Sequence, residues 1–144
     1  MDLELRRLTY DMFVRLGRAP MADEVAERSG ARRDEIVVGW RELHDAHALV
    51  LDPATDEILM AHPFSAVPTA YRVHADGRSW YANCAWDAFG ICAALHTDGS
   101  VETSCPDCGE SILFEVRDAQ PSDASLLWHC LVPARHWWDD IVFT

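Results

Sequence analysis

The chain contains no lysine: all 12 of its basic residues are arginine, set against 24 acidic ones, for a net charge of −12. Affinity for a phosphate backbone needs a basic surface, so this balance argues against nucleic acid as the main partner. Long apolar runs are missing too. No stretch approaches the ~18 residues that read as a membrane-spanning helix. The opening Met1-Asp2-Leu3-Glu4 has no signal-peptide character. These absences predict a soluble, cytoplasmic protein with no membrane partner. No internal repeat or low-complexity segment is present, and 49% of the residues are hydrophobic, enough for a real core. A length of 144 residues fits one domain, or a small module plus a slightly larger one.

Cysteine is odd in number, with thiols at 84, 92, 105, 108 and 130. In a reducing compartment that favours thiol chemistry or metal binding over a disulfide framework. The most suggestive stretch is Tyr81-Ala82-Asn83-Cys84-Ala85-Trp86-Asp87-Ala88-Phe89-Gly90-Ile91-Cys92. It sets a thiol and a carboxylate three residues apart in an otherwise apolar run, and helical geometry puts both on one face. Asn83 is the expected N-cap. Cys84 would then sit in the first turn, where free N–H groups and the helix dipole favour a thiolate.

Residues 3–17 carry apolar side chains at helical spacing (Leu5, Leu8, Met12, Leu16), with Gly17 to Pro20 as a stop. A short helix over 21–28 and a third over 33–47 follow. Residues 48–51 and 57–60 then flank a turn in a β-hairpin pattern. Three helices and a hairpin form a winged-helix-like arrangement, with 33–47 in the recognition-helix position. Arg32, Arg33 and Arg41 would suit a DNA reader, but Asp34, Glu35, Glu42 and Asp45 oppose them. A structural or substrate-covering role is the better reading. The Pro-punctuated connector 61–68 marks a module boundary. Beyond it, strands at 69–74 and 79–81 lead into the Cys84 helix, which fades by Leu95. Further strands are expected at 101–103, 111–116 and 126–132. The expected fold is α+β: a three-helix, winged-helix-like module (1–62) packed on a small mixed β-sheet domain (63–144) that bears the Cys84 helix.

Together these residues resemble the alkylmercury (organomercurial) lyase family. The likeness rests on Asn83-Cys84-Ala85-Trp86-Asp87, similar to that family's Cys-Ala-x-Asp active-site motif. The preceding helical module and the Ser104-Cys105 context support it. The resemblance implies protonolysis of a carbon–mercury bond. Cys84 would be the mercury-binding thiolate, and Asp87 would move a proton to the departing carbon and help hold the metal. It also implies a small organometal substrate, mercury(II) as bound product, cellular thiols as partners and no required cofactor. Soft mercury suits thiolate, and a nearby carboxylic acid can protonate the carbon attached to it. The family's second catalytic Cys follows a Phe in a strand-like segment near the C-terminus. Here the corresponding Ile141-Val142-Phe143-Thr144 has none. Because the chain stops inside an apolar segment, one expectation is that this thiol lies past Thr144. The others are that Thr144 replaces it, or that Cys105, Cys108 or Cys130 stands in.

Other features have plainer readings beside the functional ones. Cys105-Pro106-Asp107-Cys108-Gly109 is a CxxC knuckle of zinc-ribbon type, at the tip of a hairpin. A structural zinc there would need His96, His129 or Cys130 to complete its set; otherwise the thiols are simply free. The sequence-derived alternative to the lyase is therefore a non-catalytic soft-metal or zinc-binding protein, or a metal-responsive regulator. Cys92 and Cys130 read as core cysteines. Trp86, Trp128, Trp137 and Trp138 read as packing residues, one of which walls the pocket.

Overall fold

The structure, a computed structural model, describes residues 2–143. Three helices open the chain: α1 (Leu3–Leu16), α2 (Ala22–Ser29) and α3 (Arg33–Asp45). Asp2 starts α1 by accepting from the N–H groups of Glu4 and Leu5 at 2.9 and 3.0 Å. Gly17 ends it at φ 69°, a left-handed conformation that glycine adopts without strain. Before α2, the Glu24 carboxylate accepts from the Met21 N–H at 2.8 Å and from the Arg18 guanidinium at 2.7 Å, which holds its pKa down at about 2. The apolar stripes of the helices meet at Phe13, Val25, Trp40 and Leu43, all fully buried.

Inside that contact the indole N–H of Trp40 donates to Thr9 Oγ1 at 3.0 Å, and the Thr9 hydroxyl donates to the Leu5 carbonyl at 2.8 Å. Thr9→Val keeps the volume and strands the indole N–H away from water. That change is expected to cost about 1–3 kcal/mol of unfolding free energy, read as a lower urea midpoint at unchanged slope.

The remaining elements form one eight-stranded sheet. Its strands are β1 (Val50–Leu51), β2 (Ile58–Ala61), β3 (Phe64–Ser65), β4 (Tyr71–Ala75), β5 (Arg78–Ala82), β6 (Gly99–Ser104), β7 (Ser111–Arg117) and β8 (Gln120–Pro121). The order is β1-β2-β3-β5-β4-β6-β7-β8. Every pairing is antiparallel, which corrects the expected mixed sheet. Short turns join most neighbours, and such turns permit only antiparallel pairing. The single helical crossover, α4 (Ala85–Leu95), returns β6 beside β4 rather than parallel to β5. The connector at 61–68 is not free of structure: β3 lies within it and pairs with both β2 and β5, so one sheet includes strands from both sides of the turn at 62–63.

Phe64 of β3 ties the helices to the sheet. Its ring stacks on Phe13 at 5.1 Å and leans on Trp80 at 6.0 Å. On the same side of the sheet, buried Cys92 holds α4 against β6. A Cβ added at Gly99 would lie 2.8 Å from Cys92 Sγ and 2.7 Å from the His74 carbonyl oxygen, so only glycine admits this approach.

Residues 126–132, expected as a strand, are irregular. A strand needs a neighbour for its N–H and C=O groups, and among the described residues no strand of the sheet pairs with this segment. Leu127 is 95% exposed, and Cys130 is exposed rather than in the core. A short 3-10 helix follows at Ala134–Asp139.

Candidate functional site

Strand β5 feeds directly into α4, and the junction places the thiol and the carboxylate. Cys84 is the N-cap, not Asn83: its backbone is extended, and its carbonyl accepts from the Ala88 N–H at 3.0 Å. Asn83 lies one residue outside the helix because its side chain is engaged elsewhere. Its amide Nδ2 donates to Asp87 Oδ2 at 2.9 Å and to the Phe64 carbonyl at 3.4 Å. His62, from the end of β2, adds Nδ1 at 3.3 Å from the Asn83 amide and 3.5 Å from Asp87 Oδ2. The Asp87 side chain is only 15% exposed.

Cys84 and Asp87 line a cavity of about 310 Å³, in the size range of a small-molecule site. Met60, His62 and Tyr71 of the sheet region form one side of it. The segment 128–143 forms the other, through Trp128, Cys130, Trp137, Ile141 and Phe143. Aromatic contacts hold that segment in place. Trp86 stacks on Trp128 at 5.4 Å, and Trp138 stacks on His47 at 4.1 Å while its ring meets that of His62 edge-on at 5.7 Å. Trp86 and Trp128 are therefore cavity walls more than core: they are 58% and 44% exposed.

The expectation of a first-turn thiolate needs correction. Burial pushes the Cys84 thiol above its ordinary range. The N–H groups of Asp87 and Trp86 pull the other way, while negative charge at Asp87 and Cys130 adds to the rise. Desolvation wins at this helix start, so Cys84 waits as a neutral thiol. Alkylation of Cys84 by iodoacetamide, followed by peptide mass spectrometry, is expected to keep accelerating at pH values where an ordinary thiol has levelled off. A plateau at or below the usual thiol range would contradict this.

The remaining predicted site residues are elsewhere. Cys105 and Cys108 sit at the β6–β7 hairpin tip and do not line the cavity. His129 and Cys130, once candidates to complete a zinc set with them, line the Cys84 cavity instead. No three His, Cys, Asp or Glu side chains gather into a metal-binding group among the described residues. Of the three thiols considered as stand-ins for a second cysteine, Cys130 shares the cavity with Cys84. The idea that Thr144 replaces that thiol lies outside the described residues. The arginines of the α3 region make no free basic stripe. Arg32 pairs with Asp34 at 2.9 Å, Arg33 with Glu57 at 3.0 Å and Arg41 with Asp56 at 2.6 Å.

Sequence reasoning missed His62 and Asn83 as parts of the site. Asn83 carried a faint signal, standing four residues before Asp87, a spacing that meets on one helical face. His62 carried none, being separated from Asp87 by 25 residues.

Fold and site together define an α+β protein that presents a half-buried thiol and a shielded carboxyl to one apolar-walled cavity. The family model described as MerB alkylmercury lyase matches residues 64–144, more than half of the chain, and the chain belongs to that family. A crystal structure of the mercury-bound form of MerB2 is similar over 85% of this chain, with a TM-score of 0.64 and 22% identity. At that identity the likeness is one of fold. The chain spans 60% of the length of that protein. No curated protein sequence matches the chain. Among the described residues, no helix is long and apolar enough to cross a membrane.

Proposed function

We propose that this protein cleaves carbon–mercury bonds by protonolysis in the Cys84 cavity, taking small organomercurials as substrate. The observation that carries this reading is the shared cavity itself. One soft nucleophile and one shielded acid face a space with apolar walls for the organic group. The Cys84 thiol binds the mercury of R–Hg⁺ and releases its proton, which Asp87 accepts. The thiolate then enriches the attached carbon with electron density. The electron pair of the C–Hg bond takes the proton from Asp87, R–H leaves, and mercury stays on the sulfur as mercury(II).

Asn83 supports the proton step. Its amide donates to Asp87 Oδ2, so that oxygen keeps its acceptor role, and Oδ1 is left to carry the proton. His62 braces the same oxygen from the β2 side. In this reading residues 63–144 hold the chemistry. The three helices and the β1–β2 hairpin (1–62) are a winged-helix-like support that fixes one cavity wall, not a DNA reader. Cellular thiols would then strip mercury(II) from Cys84, and no resident cofactor takes part.

The test is direct: incubate the full chain with methylmercury and excess thiol, and follow methane by gas chromatography. Methane in multiples of the protein present is the expected result. Release no faster than in a protein-free control would overturn the reading.

A further inference from the structure

The Cys105–Cys108 turn is not used by the Cys84 reaction, yet it is built as a ligand. The Cys105 N–H donates to the Glu110 carbonyl at 2.8 Å, and the Gly109 N–H closes back on the Cys105 carbonyl at 2.9 Å. Gly109 sits at φ 74°, a backbone state that lets the chain turn sharply after Cys108. The closed turn keeps Cys105 and Cys108 three residues apart in one short loop at the hairpin tip. Both sulfurs are reduced and reachable: Cys105 is half-buried and Cys108 exposed.

We propose that Cys105 and Cys108 form a second, two-thiolate site for a two-coordinate soft cation of the mercuric class, separate from the Cys84 cavity. Coordination number decides the class of metal. Structural zinc takes four ligands in a tetrahedron, and no third ligand joins this pair among the described residues. A soft cation that accepts two thiolates on opposite sides is complete with the pair alone. Both thiols lose their protons to solvent as two sulfur–metal bonds form. The metal keeps its oxidation state, so no oxidant or reductant is involved. The site stands whether or not Cys84 performs protonolysis.

The test uses the full chain carrying Cys84→Ser, which removes the first site. Mercuric chloride is added in excess monothiol, small molecules are removed by gel filtration, and mercury per chain is measured. Zinc chloride is run in parallel. One mercury retained per chain and no zinc is the expected result. Adding Cys105→Ser or Cys108→Ser should weaken retention by about a hundredfold or more, because one thiolate loses the advantage of the tethered second. Circular dichroism reports whether these turn variants keep the fold. Mercury retention unchanged in folded Cys105→Ser and Cys108→Ser chains would overturn the proposal. So would zinc held at one per chain, or at one per pair of chains.

Discussion

Cys84→Ser is expected to lower methane release by at least about a thousandfold. The serine oxygen is a hard donor and has little affinity for soft mercury, so the variant loses the step on which the rest depends. The substitution is nearly isosteric, and Cys84 is the N-cap of α4. Serine is favoured at that position, so helix and fold should survive, with an unchanged urea midpoint. This separates loss of chemistry from loss of structure. The other thiols provide an internal control. Cys105, Cys108 and Cys130 should still take up mercurials when no competing thiol is added, so total mercury uptake is expected to fall only in part while release vanishes. A variant that kept even a tenth of the wild-type rate would place the reacting thiol elsewhere, with Cys130 of the same cavity next in line.

Asp87→Asn separates capture from cleavage. The amide has the shape of the carboxyl but cannot shuttle a proton, and loss of a positioned acid typically costs about 10²–10⁴ in rate. Release of methane should fall in that range while Cys84 still binds methylmercury, visible as an adduct on its peptide by mass spectrometry. Removing the nearby negative charge also lifts one of the influences that raise the Cys84 thiol. Alkylation of Cys84 at neutral pH should therefore be no slower in Asp87→Asn, and somewhat faster. The sign of that second effect is diagnostic, because general damage to α4 would not accelerate Cys84 while leaving its peptide the site of capture. Retained methane release would remove Asp87 from the proton path.

The parts of this protein legible in its sequence are those set by near neighbours. Helical spacing of Leu5, Leu8 and Met12, the stop at Gly17 and the turn residues between strands depend on a few adjacent side chains. They predicted α1 to α3 and most strands within a residue or two. The Cys84–Asp87 pair was likewise visible because three residues of helix bring them to one face. So was the Cys105–Cys108 knuckle, a local turn.

Tertiary structure decided what depends on distant partners or on water. Residues 126–132 read as a strand by composition, but a strand needs a partner for its N–H and C=O groups, and among the described residues no strand pairs with this segment. Cys130 left the expected core for the same reason and came to the Cys84 cavity. The ionisation of Cys84 followed burial, which no spacing encodes, and reversed the sign expected from its helix position. The grip of His62 and Asn83 on Asp87 needed the β2–β3 turn to meet the start of α4. Sequence alone placed a thiol beside a carboxyl. Folding raised the thiol and gave the carboxyl its hydrogen-bond partners, because desolvation and side-chain contacts are properties of the assembled cavity.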